Sequence, residues 1–211
     1  MNKTLMAALL GLLIAALLLT LAWVLFVWEP DPEPAPIHEA LGLAARPTGG
    51  DFSLQSAKGP VALADLRGDV VLIYFGYTWC PDICPTNLGF ITMALEQLTP
   101  EERARTRVLF ISVDPERDTL ERLQEYGAYF HSNIVGITGS DAEVAVAAKL
   151  YGASYQRTEQ DSATGYVVDH SAFTYVVAPD GHLAETLGHA TPPQQIVEVI
   201  RGLLKDRPKT P

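Results

Sequence analysis

The only two cysteines of the chain lie close together, directly after a strand-like run of apolar residues. Cys80 and Cys84 are four positions apart in a chain of 211 residues, and the run Val70–Phe75 precedes them. Four residues make about one helical turn, so we expect both sulfurs on one side of a helix, with their Cα atoms about 6 Å apart. A disulfide accepts that separation, and the same arrangement presents two thiolates to one soft metal ion. The spacing therefore indicates either a redox-active pair or part of a metal site.

The residues around the cysteines predict the start of a helix. We expect Cys80 to be the N-cap residue and Pro81 the first helical residue, which would stabilise a thiolate through unpaired N–H groups and the helix dipole. Pro85 lacks the N–H that the carbonyl of Pro81 would accept, which predicts a loosened first turn in which the two sulfurs can change their separation. A permanent structural disulfide is the alternative, but a bridge across one turn closes so short a loop that it constrains the unfolded chain little.

His170 is the candidate for a third ligand among the five histidines. It stands just before the apolar strand Ala172–Val177, and in a thioredoxin-like fold the loop that enters this strand lies against the cysteine turn. The other histidines fall in a linker or near the ends of predicted elements: His38, His131, His182 and His189. Two thiolates and one imidazole suit Cu(I), and Cu(II) with an added ligand. Zinc with an open fourth position is a chemical alternative.

The N-terminal segment predicts a membrane anchor. Residues Leu5–Trp28 contain no charged side chain, and this run forms about 36 Å of helix, enough to cross a hydrocarbon core of roughly 30 Å. It is longer than the apolar region of a cleaved signal peptide. Lys3 precedes the run and Glu29 follows it. The positive-inside rule then predicts a single pass through a bacterial inner membrane, with the N-terminus in the cytoplasm and the rest of the chain in the periplasm.

The remaining chain predicts one domain behind a linker. We assign residues 1–28 to the cytoplasmic N-terminus and anchor, 29–47 to a linker rich in proline and acidic residues, 48–205 to a single domain and 206–211 to a polar tail. The net charge of −10 speaks against a nucleic-acid partner, which selects for basic surfaces.

Strand-like and helical segments alternate within the domain and end in a hairpin followed by a helix. Strands are predicted at Phe52–Leu54, Val61–Leu63, Val70–Phe75, Val108–Val113, Ile134–Ile137, Ala172–Ala178 and His182–Leu187, and helices at Asp82–Leu98, Thr119–Phe130, Asp141–Tyr151 and Pro192–Leu204. This order predicts an α/β domain with a central mixed sheet flanked by helices. It resembles the thioredoxin fold, with the cysteines in the turn after the first long strand.

Three segments resemble the Sco/SenC family of membrane-anchored copper proteins, which help to assemble the dinuclear copper centre of cytochrome c oxidase. They are Tyr74–Pro85, Ile111–Thr119 and Val168–Ser171, and the resemblance covers the whole domain. It implies that Cys80, Cys84 and His170 are copper ligands. It also implies a partner, the copper-centre subunit of the oxidase, and an upstream copper donor or thiol reductant.

Two aspartates match the family's D-P-x-R-D-T stretch, but the residues around them favour a structural role. Asp114 precedes a proline at the end of a strand and is expected in a turn. Asp118 is expected to cap the following helix, with Glu121 completing the cap. We therefore expect neither Asp114 nor Asp118 to be a metal ligand.

The motifs leave two functions open. One is a copper metallochaperone without turnover of its own. The other is a periplasmic thiol–disulfide oxidoreductase that keeps the cysteines of the copper-receiving subunit reduced. His170 favours the chaperone, because disulfide exchange needs an attacking thiolate and a resolving thiol but no imidazole ligand. The three-residue spacer between Cys80 and Cys84, against two in thioredoxin-type enzymes, also favours a metal site.

Overall fold

A computed structural model of the chain describes residues 2–26, 47–159 and 165–205. The chain divides into two compact units, Met1–Ala45 and Arg46–Pro211. In the first unit, helix α1 covers Lys3–Phe26, and its side chains are described only in part. No helix made of described residues has both the length and the apolarity needed to cross a membrane. The predicted tail, and the predicted linker except for its residue 47, lie outside the described residues.

The second unit contains strands and helices in alternation. The strands are β1 (Ser53–Ser56), β2 (Gly59–Ala62), β3 (Val70–Gly76), β4 (Thr106–Ser112), β5 (Ile134–Ile137), β6 (Tyr155–Glu159), β7 (Tyr166–His170), β8 (Thr174–Val177) and β9 (Leu183–Leu187). The helices are α2 (Ile83–Gln97), α3 (Pro100–Ala104), α4 (Leu120–Phe130), α5 (Asp141–Tyr151) and α6 (Pro193–Lys205), and a 3₁₀ turn covers Leu63–Leu66.

A five-stranded mixed sheet forms the centre of this unit, in the order β5-β4-β3-β8-β9. Strands β3, β4 and β5 are parallel, whereas β8 is antiparallel to both β3 and β9. Every residue of β3 is buried, as expected of a central strand that is covered on both faces. The prediction of an α/β domain with a central mixed sheet and flanking helices is confirmed.

Neighbouring residues of β3 point to opposite faces of the sheet and meet different helices. Tyr74 stacks on Phe110 of β4, and Phe110 in turn contacts Tyr126 of α4. Phe75 packs instead against Tyr151 of α5. The alternation of β3 therefore separates two halves of the core, and the half that contains Tyr74 lies on the side of the cysteine turn.

The sequence prediction missed one pair of strands. Strands β6 and β7 pair only with each other, in an antiparallel ribbon that is separate from the main sheet. All residues of β6 after Tyr155 are exposed, so this strand lacks the apolar alternation by which strands are recognised in a sequence. His170, expected in a loop, is the last residue of β7 and pairs with Tyr155.

Candidate metal centre

The cysteine turn differs from the predicted helix start. Helix α2 begins at Ile83 and its N-cap residue is Asp82, so Cys80 and Pro81 precede the helix. The first helical hydrogen bond runs from the Thr86 N–H to the Asp82 carbonyl, at 3.2 Å. Pro85 is then the third helical residue, where an N–H would have no helical partner in any case. The predicted loosening of the first turn by Pro85 is therefore wrong.

The two thiols are free and differ in burial. Cys84 is fully buried, and Cys80 is 9% exposed at the edge of the turn. The Cys84 N–H donates to the Cys80 sulfur at 3.5 Å, and the Cys80 N–H donates to the Tyr77 carbonyl at 3.2 Å. The Cys84 N–H thus points at the outer sulfur, where it stabilises a negative charge.

His170 presents one ring nitrogen to the cysteines. Its Nδ1 lies 3.1 Å from the carbonyl oxygen of Ser171, and because a carbonyl only accepts, Nδ1 carries the proton. The Nε2 lone pair therefore faces the Cys84 sulfur, 3.2 Å away. The rings of Tyr74 and Tyr77 meet the imidazole edge-on and hold its plane.

These three residues form a compact set of potential metal donors. The Cys80 sulfur, the Cys84 sulfur and a His170 ring nitrogen all lie within 4.8 Å of one another. Among the described residues this is the one such group of three or more histidine, cysteine or acidic side chains. Two soft sulfurs and one imidazole nitrogen match the preferences of copper, so the donor chemistry fits the metal that the sequence predicts.

The electrostatics of the turn make the two thiols unequal. The hydrogen bond from the Cys84 thiol lowers the pKa of Cys80 to about 4, with further help from backbone N–H groups and against the effect of burial. Burial raises the pKa of Cys84 well above its usual range, and the hydrogen bond with Cys80 raises it further. At neutral pH the metal-free site therefore holds one thiolate, on Cys80, and one thiol.

Gly76 permits the burial of Cys84, and the sequence analysis did not single it out. A Cβ atom at this position would lie 2.6 Å from the Cys84 sulfur and 2.9 Å from Cε2 of Phe110. Both distances are shorter than any normal van der Waals contact, so a side chain at residue 76 would displace the sulfur. A glycine that ends a strand directly before a motif is the signal for such a close approach.

Asp118 anchors the cysteine turn from the next loop. Its buried carboxylate accepts hydrogen bonds from the Thr78 N–H at 2.9 Å, the Thr78 hydroxyl at 2.6 Å and the Ser112 hydroxyl at 2.7 Å. The helix cap predicted for Asp118 is wrong, because Thr119 is the N-cap residue of α4 and accepts from the Arg122 N–H. Asp118 instead fixes Thr78, two residues before Cys80.

Asp114 ties the strand that carries His170 to the same loop. It forms the expected turn, because its carbonyl accepts from the N–H groups of Arg117 and Asp118. Its fully buried carboxylate also accepts from the Arg117 guanidinium and from the Tyr166 hydroxyl at 2.8 Å. Tyr166 begins β7. The loop between β4 and α4 therefore positions both the cysteine turn and the strand that carries His170, and neither aspartate belongs to the group of potential metal donors.

The other histidines lie outside this centre. His182 is mostly exposed and contacts Asp180, whereas Nδ1 of His131 accepts from the Asn133 N–H. His189 is exposed, and His38 lies outside the described residues.

Comparison with known proteins identifies relatives of the chain. A family model described as SCO1/SenC matches residues 42–205. The Protein SCO2 homolog, mitochondrial, of Mus musculus is 42% identical over 154 residues, which are 72% of this chain and 60% of that protein. The chain spans 58–60% of the length of this and two further mammalian relatives.

Solved structures share the architecture. ScoI of Arabidopsis thaliana, solved with copper bound, has a TM-score of 0.69 and 33% identity, and the match covers 75% of this chain and 99% of that one. BsSco, described as a member of the Sco family of cytochrome c oxidase assembly proteins and as containing a disulfide switch, has a TM-score of 0.60 and 27% identity, with coverage of 76% and 95%.

The first prediction concerns the thiol that reacts first. Alkylation of the reduced, metal-free protein by iodoacetamide should modify Cys80 with a rate that rises through pH 4, near the lowered pKa of this thiol, and changes little between about pH 6 and pH 8. Because the hydrogen bond from the Cys84 thiol is the largest cause of the lowered pKa, Cys84→Ala, which removes the donor, should move the midpoint upward. A midpoint near the ordinary value of 9.0 in the parent would contradict the unequal thiols.

The second prediction tests Asp118 as the anchor of the turn. Asp118→Asn keeps the shape but replaces one accepting oxygen with an amide N–H₂, which faces at least one of the three donor groups, so it should lower the free energy of unfolding by about 1–3 kcal/mol. Urea unfolding measures this change. Asp82→Asn, an exposed acid on the same turn, is the control and should change the stability by less than about 0.5 kcal/mol. Equal stabilities of the two variants would refute the anchoring role.

Proposed function

The chain belongs to the SCO1/SenC family, and we propose that it is a copper chaperone that delivers copper to the dinuclear copper centre of cytochrome c oxidase. Cys80, Cys84 and His170 hold the copper in this proposal. Copper is the cargo of the protein, and the protein has no chemical turnover of its own.

One observation carries the proposal: three soft donor atoms lie within 4.8 Å of one another in a mostly buried site. The Cys80 thiolate and the free Nε2 lone pair of His170 are ready to bind, and Cys84 supplies the second sulfur when it loses its proton. A three-coordinate set of this kind suits Cu(I) and accepts Cu(II) with one added ligand. The copper-bound ScoI of Arabidopsis thaliana has the same architecture, which supports copper as the metal.

The transfer step requires that copper be reachable by a partner. Cys84 is fully buried, but Cys80 is at the edge of the turn and His170 is half-buried. A partner thiolate or imidazole can therefore attack from the side of Cys80, and copper can pass by exchange of one ligand at a time. The description of BsSco as a cytochrome c oxidase assembly protein supports the copper-receiving subunit of that oxidase as the partner.

A thiol–disulfide oxidoreductase that keeps the receiving cysteines reduced is the second candidate. The specific observation in its favour is the unequal pair, with a lowered pKa for Cys80 and a raised pKa for Cys84, because the more accessible thiolate attacks and the fully buried thiol resolves. The contact of His170 with Cys84 favours the chaperone, since thiol exchange has no use for that imidazole.

We also propose that residues 5–28 anchor the chain in a bacterial inner membrane, with the domain in the periplasm. The support is the sequence, in which 24 consecutive residues carry no charge, Lys3 precedes them and acidic residues follow. The linker at residues 29–47, rich in proline, would then hold the domain away from the membrane surface.

The third prediction concerns copper binding. The reduced protein should bind one copper per chain, and bound Cu(II) should show thiolate-to-metal charge-transfer absorption. His170→Ala should weaken Cu(I) binding by more than the roughly 10–100-fold that loss of an outer-shell partner costs. Competition with a chromophoric Cu(I) chelator measures the affinity.

His182→Ala, which removes an exposed histidine elsewhere, is the matched control and should bind copper like the parent. If His170→Ala also binds both copper states like the parent, the three-ligand site is wrong. Full disulfide reductase activity in His170→Ala together with undiminished copper binding would favour the oxidoreductase.

The fourth prediction concerns the anchor. A reporter that is active only in the periplasm should be active when it is fused after Lys205, and cell fractionation should leave the full chain in the membrane. The same reporter inserted after Asn2, at the N-terminal end of the full chain, should be inactive, because the N-terminus is expected in the cytoplasm. Recovery of a protein that begins near Glu29 in the soluble fraction would show that the apolar segment is cleaved.

A further inference from the structure

The hydroxyl group of Tyr74 is buried without a partner. The side chain of Tyr74 is fully buried, and its Oη makes no hydrogen bond of ordinary geometry with any described residue. A buried hydroxyl that loses its bonds to water without gaining others destabilises the fold. The buried hydroxyl is explained if another state of the protein offers it a hydrogen-bond acceptor.

The ring of Tyr74 lies beside two of the three donor residues. A Cβ atom added at Gly76 would lie 3.3 Å from Cε1 of Tyr74 and 2.6 Å from the Cys84 sulfur. The tyrosine ring and the sulfur therefore both lie next to Gly76. The ring also meets the imidazole of His170 edge-on, with centroids 6.1 Å apart. Tyr74 is therefore the polar side chain of β3 that the alternation of the strand places on the face of the sulfur.

The needs of the Cys84 sulfur change when a metal binds. In the metal-free protein this sulfur is fully buried, away from water. As a metal ligand the same sulfur is a thiolate in surroundings that exclude water. A hydrogen-bond donor to a metal-bound thiolate stabilises its charge and restrains its position.

We propose that the Tyr74 hydroxyl donates a hydrogen bond to the Cys84 sulfur when that sulfur binds copper, and that Tyr74 is thereby a positioning residue of the site. This inference rests on the proposed function. In the metal-free protein the hydroxyl has no hydrogen bond of ordinary geometry, and the proposed bond to the metal-bound sulfur gives it one.

Tyr175 provides a matched control within the same sheet. Its side chain is also buried, and its hydroxyl likewise makes no hydrogen bond of ordinary geometry with a described residue. Its ring packs against Phe75 and Tyr151 on the opposite face of the sheet from Cys84. Tyr175→Phe thus removes an equally buried hydroxyl with no thiol beside it, whereas Tyr74→Phe removes the proposed donor and keeps the ring.

The experiment compares the parent, Tyr74→Phe and Tyr175→Phe as full-length proteins. In Tyr74→Phe, loss of the donor should move the thiolate-to-Cu(II) charge-transfer band to longer wavelength and weaken Cu(I) binding by about tenfold. Tyr175→Phe should leave both unchanged. In the metal-free state, the melting temperature of Tyr74→Phe should be no lower than that of Tyr175→Phe, because neither hydroxyl has a partner there.

Two results would overturn the inference. One is a Tyr74→Phe protein with the parent's band and affinity, and the other is a metal-free Tyr74→Phe that melts well below Tyr175→Phe, since the hydroxyl would then be bonded without metal. If the parent itself binds no copper, the proposed function fails. The charge-transfer band of Co(II), bound through the same sulfurs, then gives the same comparison between the two variants.

Discussion

The close approach of the Cys84 sulfur to the backbone of Gly76 is the contact on which the rest of the site depends. Because residue 76 has no side chain, the first turn of α2 can rest directly on the end of β3 and bury this sulfur beneath Tyr74 and Phe110. The other sulfur then remains at the edge of the turn. The hydrogen bond from Cys84 lowers the pKa of the Cys80 thiol, and burial raises the pKa of the Cys84 thiol. A single missing Cβ thus determines both the shape of the site and the order in which its thiols ionise.

The second constraint is polar, and it acts across a long stretch of sequence. Cys84 and His170 are 86 residues apart, yet one loop between β4 and α4 contacts the segments that carry both. Asp118 holds the cysteine turn through Thr78, and Asp114 holds the ribbon of β6 and β7 through Tyr166. Buried carboxylates are tolerated when their oxygens are fully hydrogen-bonded, and here the same bonds set the distance between the donors. The loop therefore fixes the two segments of the site by hydrogen bonds, whereas Gly76 allows the close packing of the sulfur.

The cysteine pair, His170 and the central sheet could be predicted because each has a local signal. Two sulfurs one turn apart after a buried strand restrict the chemistry, and the continuous apolar run Val70–Phe75 identifies β3. The ribbon of β6 and β7 could not be predicted, because the exposed residues of β6 pair for reasons that lie elsewhere in the fold. The role of Asp118 was equally hidden: an acid before Thr119 looks like a helix cap, and only the tertiary structure shows that it points toward Thr78. Gly76 can be recognised in the sequence, but its importance depends on the Cys84 sulfur and Phe110, which pack against it only in the folded protein.

The ribbon that carries His170 has its own consequence for how the site opens. Its two strands pair with no other strand, and Val168 is their one buried residue, whereas both cysteines are fixed to the core of the domain. Two-stranded ribbons are marginally stable on their own, and segments with few buried contacts open at a small fraction of the global unfolding free energy. Local opening of the ribbon would move the imidazole while the sheet and α2 stay folded, and it requires that the hydrogen bond between Tyr166 and Asp114 break. Two of the three potential donors are thus fixed to the core of the domain, and the third is carried by a segment that pairs only with itself.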